Sequence, residues 1–164
     1  MSAANLYDPA TPDYQTYIRF ANQVLGTPCT PVSDSTSVPN RCAALTVKPG
    51  KTYIVTGNFD NRFRVGTLKS SNCKAGYVVQ NFIFDPLDNN DASQIGDART
   101  LTITAGDDHD LMLIGYFANT GSIPFTTIRN SIVVTEYNPE PEPEPPVTVK
   151  VSPCFGWQGI FIKR

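Results

Sequence analysis

Leu45-Thr46-Val47-Lys48-Pro49-Gly50-Lys51-Thr52-Tyr53-Ile54-Val55-Thr56-Gly57-Asn58 decides how this chain folds. Two runs of β-branched and aromatic residues flank a Pro-Gly-Lys turn. Proline fixes φ for the first central position of a tight turn, and glycine accepts positive φ at the second. Two strand-forming runs joined by such a turn make a β-hairpin the local expectation.

Strand-like runs continue outward from this stretch, at 43–47, 52–58, 63–68, 76–84, 99–104, 111–117 and 127–137. Several alternate with period two, the spacing of a strand with one face in a core. Phe63, Val65 and Thr67 oppose Arg62, Arg64 and Gly66. Leu101 and Ile103 oppose Thr100, Thr102 and Thr104. Residues 111–117 are apolar on both faces. Turn residues separate the runs: Asp60-Asn61, a polar loop at 85–91 and another at 105–110. The pattern predicts an all-β protein, an antiparallel β-sandwich or jelly roll. Residues 1–28 read as an irregular arm, with helical spacing at Tyr14, Tyr17, Ile18, Ala21 and Leu25; an extended arm is the alternative, because Tyr, Thr and Ile also form strands. Residues 30–41 read as loop.

Composition agrees. The chain has 164 residues, 40% hydrophobic and only 17% charged, with 14 prolines. One core is within reach of that length, and so many prolines argue against long helices. The net charge of −2 offers no attraction to nucleic acid or anionic lipid. No apolar run reaches the roughly 20 residues of a membrane span. The opening residues lack the basic and apolar regions of a secretory signal, so assembly in a cytoplasm is expected.

Residues 139–146 read Pro-Glu-Pro-Glu-Pro-Glu-Pro-Pro. Such a run favours extended polyproline II, on the order of 25 Å long. It divides the chain into a sandwich domain at 1–138, a spacer at 139–146 and a short β appendage at 147–164. Eighteen residues cannot close a core. Val149, Phe155, Trp157, Ile160 and Phe161 therefore need a surface to dock on.

Chemistry is sparsely marked. Cys29 and Cys42 flank the 30–41 loop and make the candidate disulfide, with four reduced, semi-buried thiols as the equal alternative; no C-x-x-C pair suggests zinc. His109 lies among Asp107, Asp108 and Asp110 with no nucleophile motif near, and reads as a solvated loop histidine. Asp85, Asp88, Asn89, Asn90 and Asp91, like the aspartates around His109, offer hard oxygens but not the spacing of a calcium loop. No metal or other cofactor is expected. A sugar-binding face needs an aromatic ring beside planar polar groups. Tyr53 with Arg62 and Arg64 is the candidate.

Three segments together resemble phage tail-fibre and tail-tip β-modules: Asn5-Leu6-Tyr7-Asp8 at the start, Val47-Lys48-Pro49-Gly50-Lys51-Thr52-Tyr53-Ile54-Val55 followed by Arg62-Phe63-Arg64-Val65, and Val147-Thr148-Val149-Lys150-Val151 with Gly156-Trp157-Gln158-Gly159-Ile160 at the end. Ser70-Ser71-Asn72-Cys73 departs from the pattern, where an apolar strand is often found. The resemblance implies a jelly-roll module of the carbohydrate-binding type carried on a virion. The expected role is non-enzymatic: a capsid decoration, head fibre or small tail fibre. Its partners would be other virion proteins, sister copies in a trimer, and a host-surface glycan. The rival expectation is a soluble lectin-like module acting on surface glycans.

Overall fold

The computed structural model describes residues 4–15, 30–32, 40–59, 63–74, 77–85, 97–117, 123–139 and 146–148. Two antiparallel sheets face each other, as the alternating runs predict. The larger has six strands in the order β2-β1-β3-β8-β5-β6. These are β1 (Asp13–Gln15), β2 (Thr30–Val32), β3 (Asn40–Thr46), β5 (Arg64–Leu68), β6 (Asn81–Phe84) and β8 (Leu111–Phe117). The smaller has the order β7-β4-β9, with β4 (Thr52–Asn58), β7 (Ala98–Thr104) and β9 (Val133–Glu136).

The Pro-Gly-Lys turn is real, but the hairpin is not. Gly50 has φ 69°, and the Lys51 amide donates to the Lys48 carbonyl at 3.3 Å. Yet β3 pairs with β8 in the large sheet, and β4 pairs with β7 in the small one. The turn is a corner that carries the chain from one sheet to the other. A second corner, residues 105–110, carries it back from β7 to β8. The two corners are bonded together: Gly50 N to Gly106 O at 3.2 Å, Ala105 N to Lys51 O at 2.8 Å, and Val47 N to Asp110 O at 3.0 Å. Thus the β3–β8 ribbon folds over onto the β4–β7 ribbon, and backbone groups that a buried corner would strand are satisfied.

Between the sheets lie Val55, Phe59, Phe63, Val65, Ile114, Ile128 and Val134, all essentially inaccessible. A second cluster covers the outer face of the large sheet: Cys42, Ala44, Leu68, Val79 and Leu113, with Tyr14, Cys73 and Tyr77 against them. The chain after β5 supplies this cover, so β8 needs apolar residues on both faces, as its sequence predicts. Gly66 permits the approach, since a Cβ there would sit 2.9 Å from Val79 Cγ1.

Four local expectations are corrected. Tyr14 lies in β1, not a helix; the remainder of that helical spacing falls outside the described residues. Thr30–Val32 is strand, not loop, because it pairs with β1. The run 76–84 narrows to β6. The run 127–137 divides into α1 (Phe125–Ser131) and β9. Pro124 stands at the helix N-cap with ψ 141°. Ile128 and Ile132, four apart, both reach the core, which overrides the strand preference of the threonines.

Candidate functional site

Strand register gives the sandwich two unlike ends. At one are the two corners and the point where β9 runs out. Lys48, Lys51 and Lys69 lie here, with Asp107, Asp108, Asp110 and Glu136. At the other end β4 finishes, β5 begins and α1 sits. Among the described residues all four arginines, Arg41, Arg64, Arg99 and Arg129, belong to this loop end.

Two buried charge clusters organise the loop end. Asp13 and Arg41 are fully enclosed, with Asp13 Oδ2 3.7 Å from Arg41 Nη1 and 3.9 Å from Arg129 Nη1. The Tyr116 hydroxyl donates to the same carboxylate oxygen, and the Arg41 guanidinium lies 3.7 Å over the Phe125 ring. Register explains the meeting: Gln15 of β1 pairs with Arg41 of β3, which pairs with Tyr116 of β8. Burial, then the charge of Asp13, pushes the Tyr116 and Tyr7 phenols up from their ordinary values, so both stay protonated. The second cluster pairs Arg99 with Asp85 at 2.7 Å. Arg99 also donates to the Phe59 carbonyl at 2.8 Å. Phe59 and Phe63 stack with centroids 4.0 Å apart and ring planes 9° apart. One follows β4 and the other precedes β5, so the stack joins the two sheets. Asp85, the first acid of the polar loop at 85–91, is thus committed to an ion pair.

At the corner end His109 is not a solvated loop residue. Its Nδ1 lies 2.9 Å from Thr67 Oγ1, and Asn81 Nδ2 donates to that same oxygen at 2.5 Å and to the Thr104 carbonyl at 2.8 Å. The Thr67 hydroxyl can accept from Asn81 and still meet His109 Nδ1 as donor or acceptor, according to the ring's tautomer. His109 Nε2 lies 3.7 Å from Asp108 Oδ1. The ring covers Gly106, where a Cβ would come within 2.7 Å of it. Asp110 accepts from the Ser70 amide at 2.6 Å and the Ser70 hydroxyl at 2.8 Å. Those bonds, the amide first, hold its carboxyl below the usual carboxylate range. Among the described residues no three His, Cys, Asp or Glu side chains converge as a metal site needs.

The sugar-site expectation is corrected at Tyr53. It is 1% exposed, and its hydroxyl accepts from the Lys48 amide at 2.7 Å. Tyr53 therefore braces the first corner from inside and presents no face to a ligand. Arg64 is half-buried on β5, while Arg62 lies outside the described residues. So do the docking residues Val149, Phe155, Trp157, Ile160 and Phe161, and the loop oxygens at 88–91. Val147 is 81% exposed.

The Cys29–Cys42 bridge is also corrected. Cys42 is a reduced thiol with 0% exposure, turned into the outer apolar cluster of β3 rather than toward a loop. Cys73 is the disulfide-bonded cysteine, and its partner lies outside the described residues. Iodoacetamide should leave Cys42 unmodified in the native protein and label it on unfolding without reductant, whereas Cys73 should label only after reduction. A non-reducing peptide map that places Cys42 in a disulfide overturns this assignment.

One site went unread in the sequence. Asn5 Oδ1 accepts from Val134 N at 2.8 Å and Tyr7 N at 3.1 Å, and Asn5 Nδ2 donates to Ile132 O at 3.1 Å. Leu6 N donates to Val134 O at 2.8 Å, and Tyr7 enters the core. Asn5-Leu6-Tyr7 is therefore a clamp on the outer edge of β9. Only the preference of asparagine for bonding nearby backbone hinted at it. No protein-family model matches the chain, and no curated protein sequence matches it.

Proposed function

We propose that this chain is a non-enzymatic structural component of a phage virion, an accessory part such as a capsid decoration, head fibre or small tail fibre. The sandwich is displayed, and residues 147–164 fasten it to the particle. The observation that carries the reading is the direction in which the chain leaves the sandwich. Tyr137 N bonds Thr52 O at 2.8 Å. Asn138 and Pro139 beyond it are exposed. That exit is at the corner end, so an anchor there turns the arginine-bearing loop end outward, toward a host surface or a neighbouring subunit. The groups that first suggested chemistry are taken up by the fold: His109 by Thr67, Asp85 by Arg99, Tyr53 by the first corner. The phage setting rests on the resemblance of the three segments quoted above.

The test compares the full chain with a variant lacking 147–164, both tagged, in a culture producing the particle. The truncated protein should stay folded and soluble, because the elements described above lie before residue 138, and should lose incorporation at least tenfold. Incorporation equal to the full chain would sink the proposal. Glycan-array binding by the truncated protein, with no particle association of either form, would favour the lectin-like role instead.

A further inference from the structure

The two edges of the small sheet are treated differently, and the difference marks an acceptor site. Along β4, Lys51 O accepts from Ala105 N and Thr52 O accepts from Tyr137 N. In an antiparallel ladder the bonded pairs alternate. Residues 99, 101, 103 and 105 thus turn their amides and carbonyls to β4. Residues 98, 100, 102 and 104 turn theirs to the open edge, as the bond from Asn81 to Thr104 O bears out. The same alternation sends the outward groups of Ile132 and Val134 to the other edge, where Asn5 and Leu6 take them. Among the described residues, no such clamp lies on β7. Among the described residues, the Asn81 amide at Thr104 is its sole hydrogen-bond cover.

β7 also lacks the usual guards. An edge strand left bare is normally blunted by lysine, proline or a bulge. β7 is seven residues with no proline or lysine. Its one charge, Arg99, is turned inward to Asp85. Its exposed residues, Ala98, Thr100, Thr102 and Thr104, are small or β-branched.

We infer that the open edge of β7 receives residues 147–151 of a second copy of this chain, by strand addition. This deepens the docking role proposed for 147–164 and rests on it. Val147-Thr148-Val149-Lys150-Val151 alternates as a strand should. The spacer selects the copy. β9 and β7 are the two edges of a three-stranded sheet, only about 10 Å apart. Residues 138–146 reach on the order of 28 Å when extended as alternating Pro-Glu favours. A stiff spacer of that length overshoots its own β7 and delivers the strand to a neighbour. The contact is head-to-tail, so copies close into a ring when the rotation per step allows.

Proline substitution tests both halves. Thr102→Pro removes an amide that faces the open edge and costs no bond to β4. Thr148→Pro disables the donor and lies outside the sandwich, so it cannot unfold it. By light scattering after gel filtration, the full chain should be oligomeric and each variant should fall to monomer mass. An equimolar mixture of the two should return to dimer, because one variant keeps a sound donor and the other a sound acceptor. A monomeric full chain, an oligomer that survives Thr102→Pro, or a mixture that stays monomeric overturns the inference. Failure here is separable from failure of the virion role. A monomeric full chain whose truncation still abolishes incorporation sinks only the strand exchange. An oligomer that obeys these rules, with incorporation unimpaired by truncation, sinks only the anchoring.

Discussion

Asp13→Asn should lower the stability of the sandwich by about 3–5 kcal/mol, the usual cost of removing one member of a buried ion pair. The substitution keeps shape and withdraws the negative charge from between two guanidiniums. Asp13 and Arg41 have fully enclosed side chains, so solvent cannot supply a substitute. For a chain of this length the melting temperature should fall on the order of 10 °C. Tyr116→Phe removes one hydrogen bond from the same oxygen and should cost less, about 1–3 kcal/mol. Because both changes act on one carboxylate, the double variant should cost less than the sum. Chemical denaturation of the four proteins measures this. An Asp13→Asn variant within about 0.5 kcal/mol of the parent, the range of an ordinary surface change, would show that the cluster holds nothing together.

Phe63→Ala is expected to cost about 3–5 kcal/mol, the range for deleting a fully buried phenyl ring. The ring has 0% exposure and three dependants. It stacks on Phe59, takes part with Phe59 in the seat of the Arg99 guanidinium, 5.9 Å from each centroid, and closes the connection from the small sheet to the large one. Phe63→Leu fills much of the volume and should cost clearly less. Urea unfolding that finds Phe63→Ala no worse than Phe63→Leu would refute the stack as a staple.

The sequence showed its strands more clearly than their partners. β4 and β8 lie where the alternation put them, because a residue's face depends on its neighbours two positions away. Pro49-Gly50 misled about pairing: the same φ values serve a hairpin and a corner, and the choice depends on β7 and β8, far along the chain. Thr127 favoured a strand until Pro124 and the burial of Ile128 made a helix. Tyr53 was read as a binding residue although its alternation already placed it with Val55 on the inner face. His109 needed Thr67 and Asn81 beside it, which no local reading supplies. Of the candidate site residues, Tyr53 and Cys42 are reassigned, and Arg64 is half-buried at the loop end.

β9 leaves the sandwich along its own axis. In its ladder with β4, Val133 stands opposite Thr56, Val134 opposite Val55, Thr135 opposite Ile54 and Glu136 opposite Tyr53, and the alternate residues Val133, Thr135 and Tyr137 turn their bonding groups to β4. Ladder bonds stand perpendicular to the strand. A pull on the chain beyond Tyr137, with the loop end held, therefore stretches all of them side by side instead of peeling them one after another. The last strand is seated to bear traction, and the module should yield to force only when that row shears as a unit.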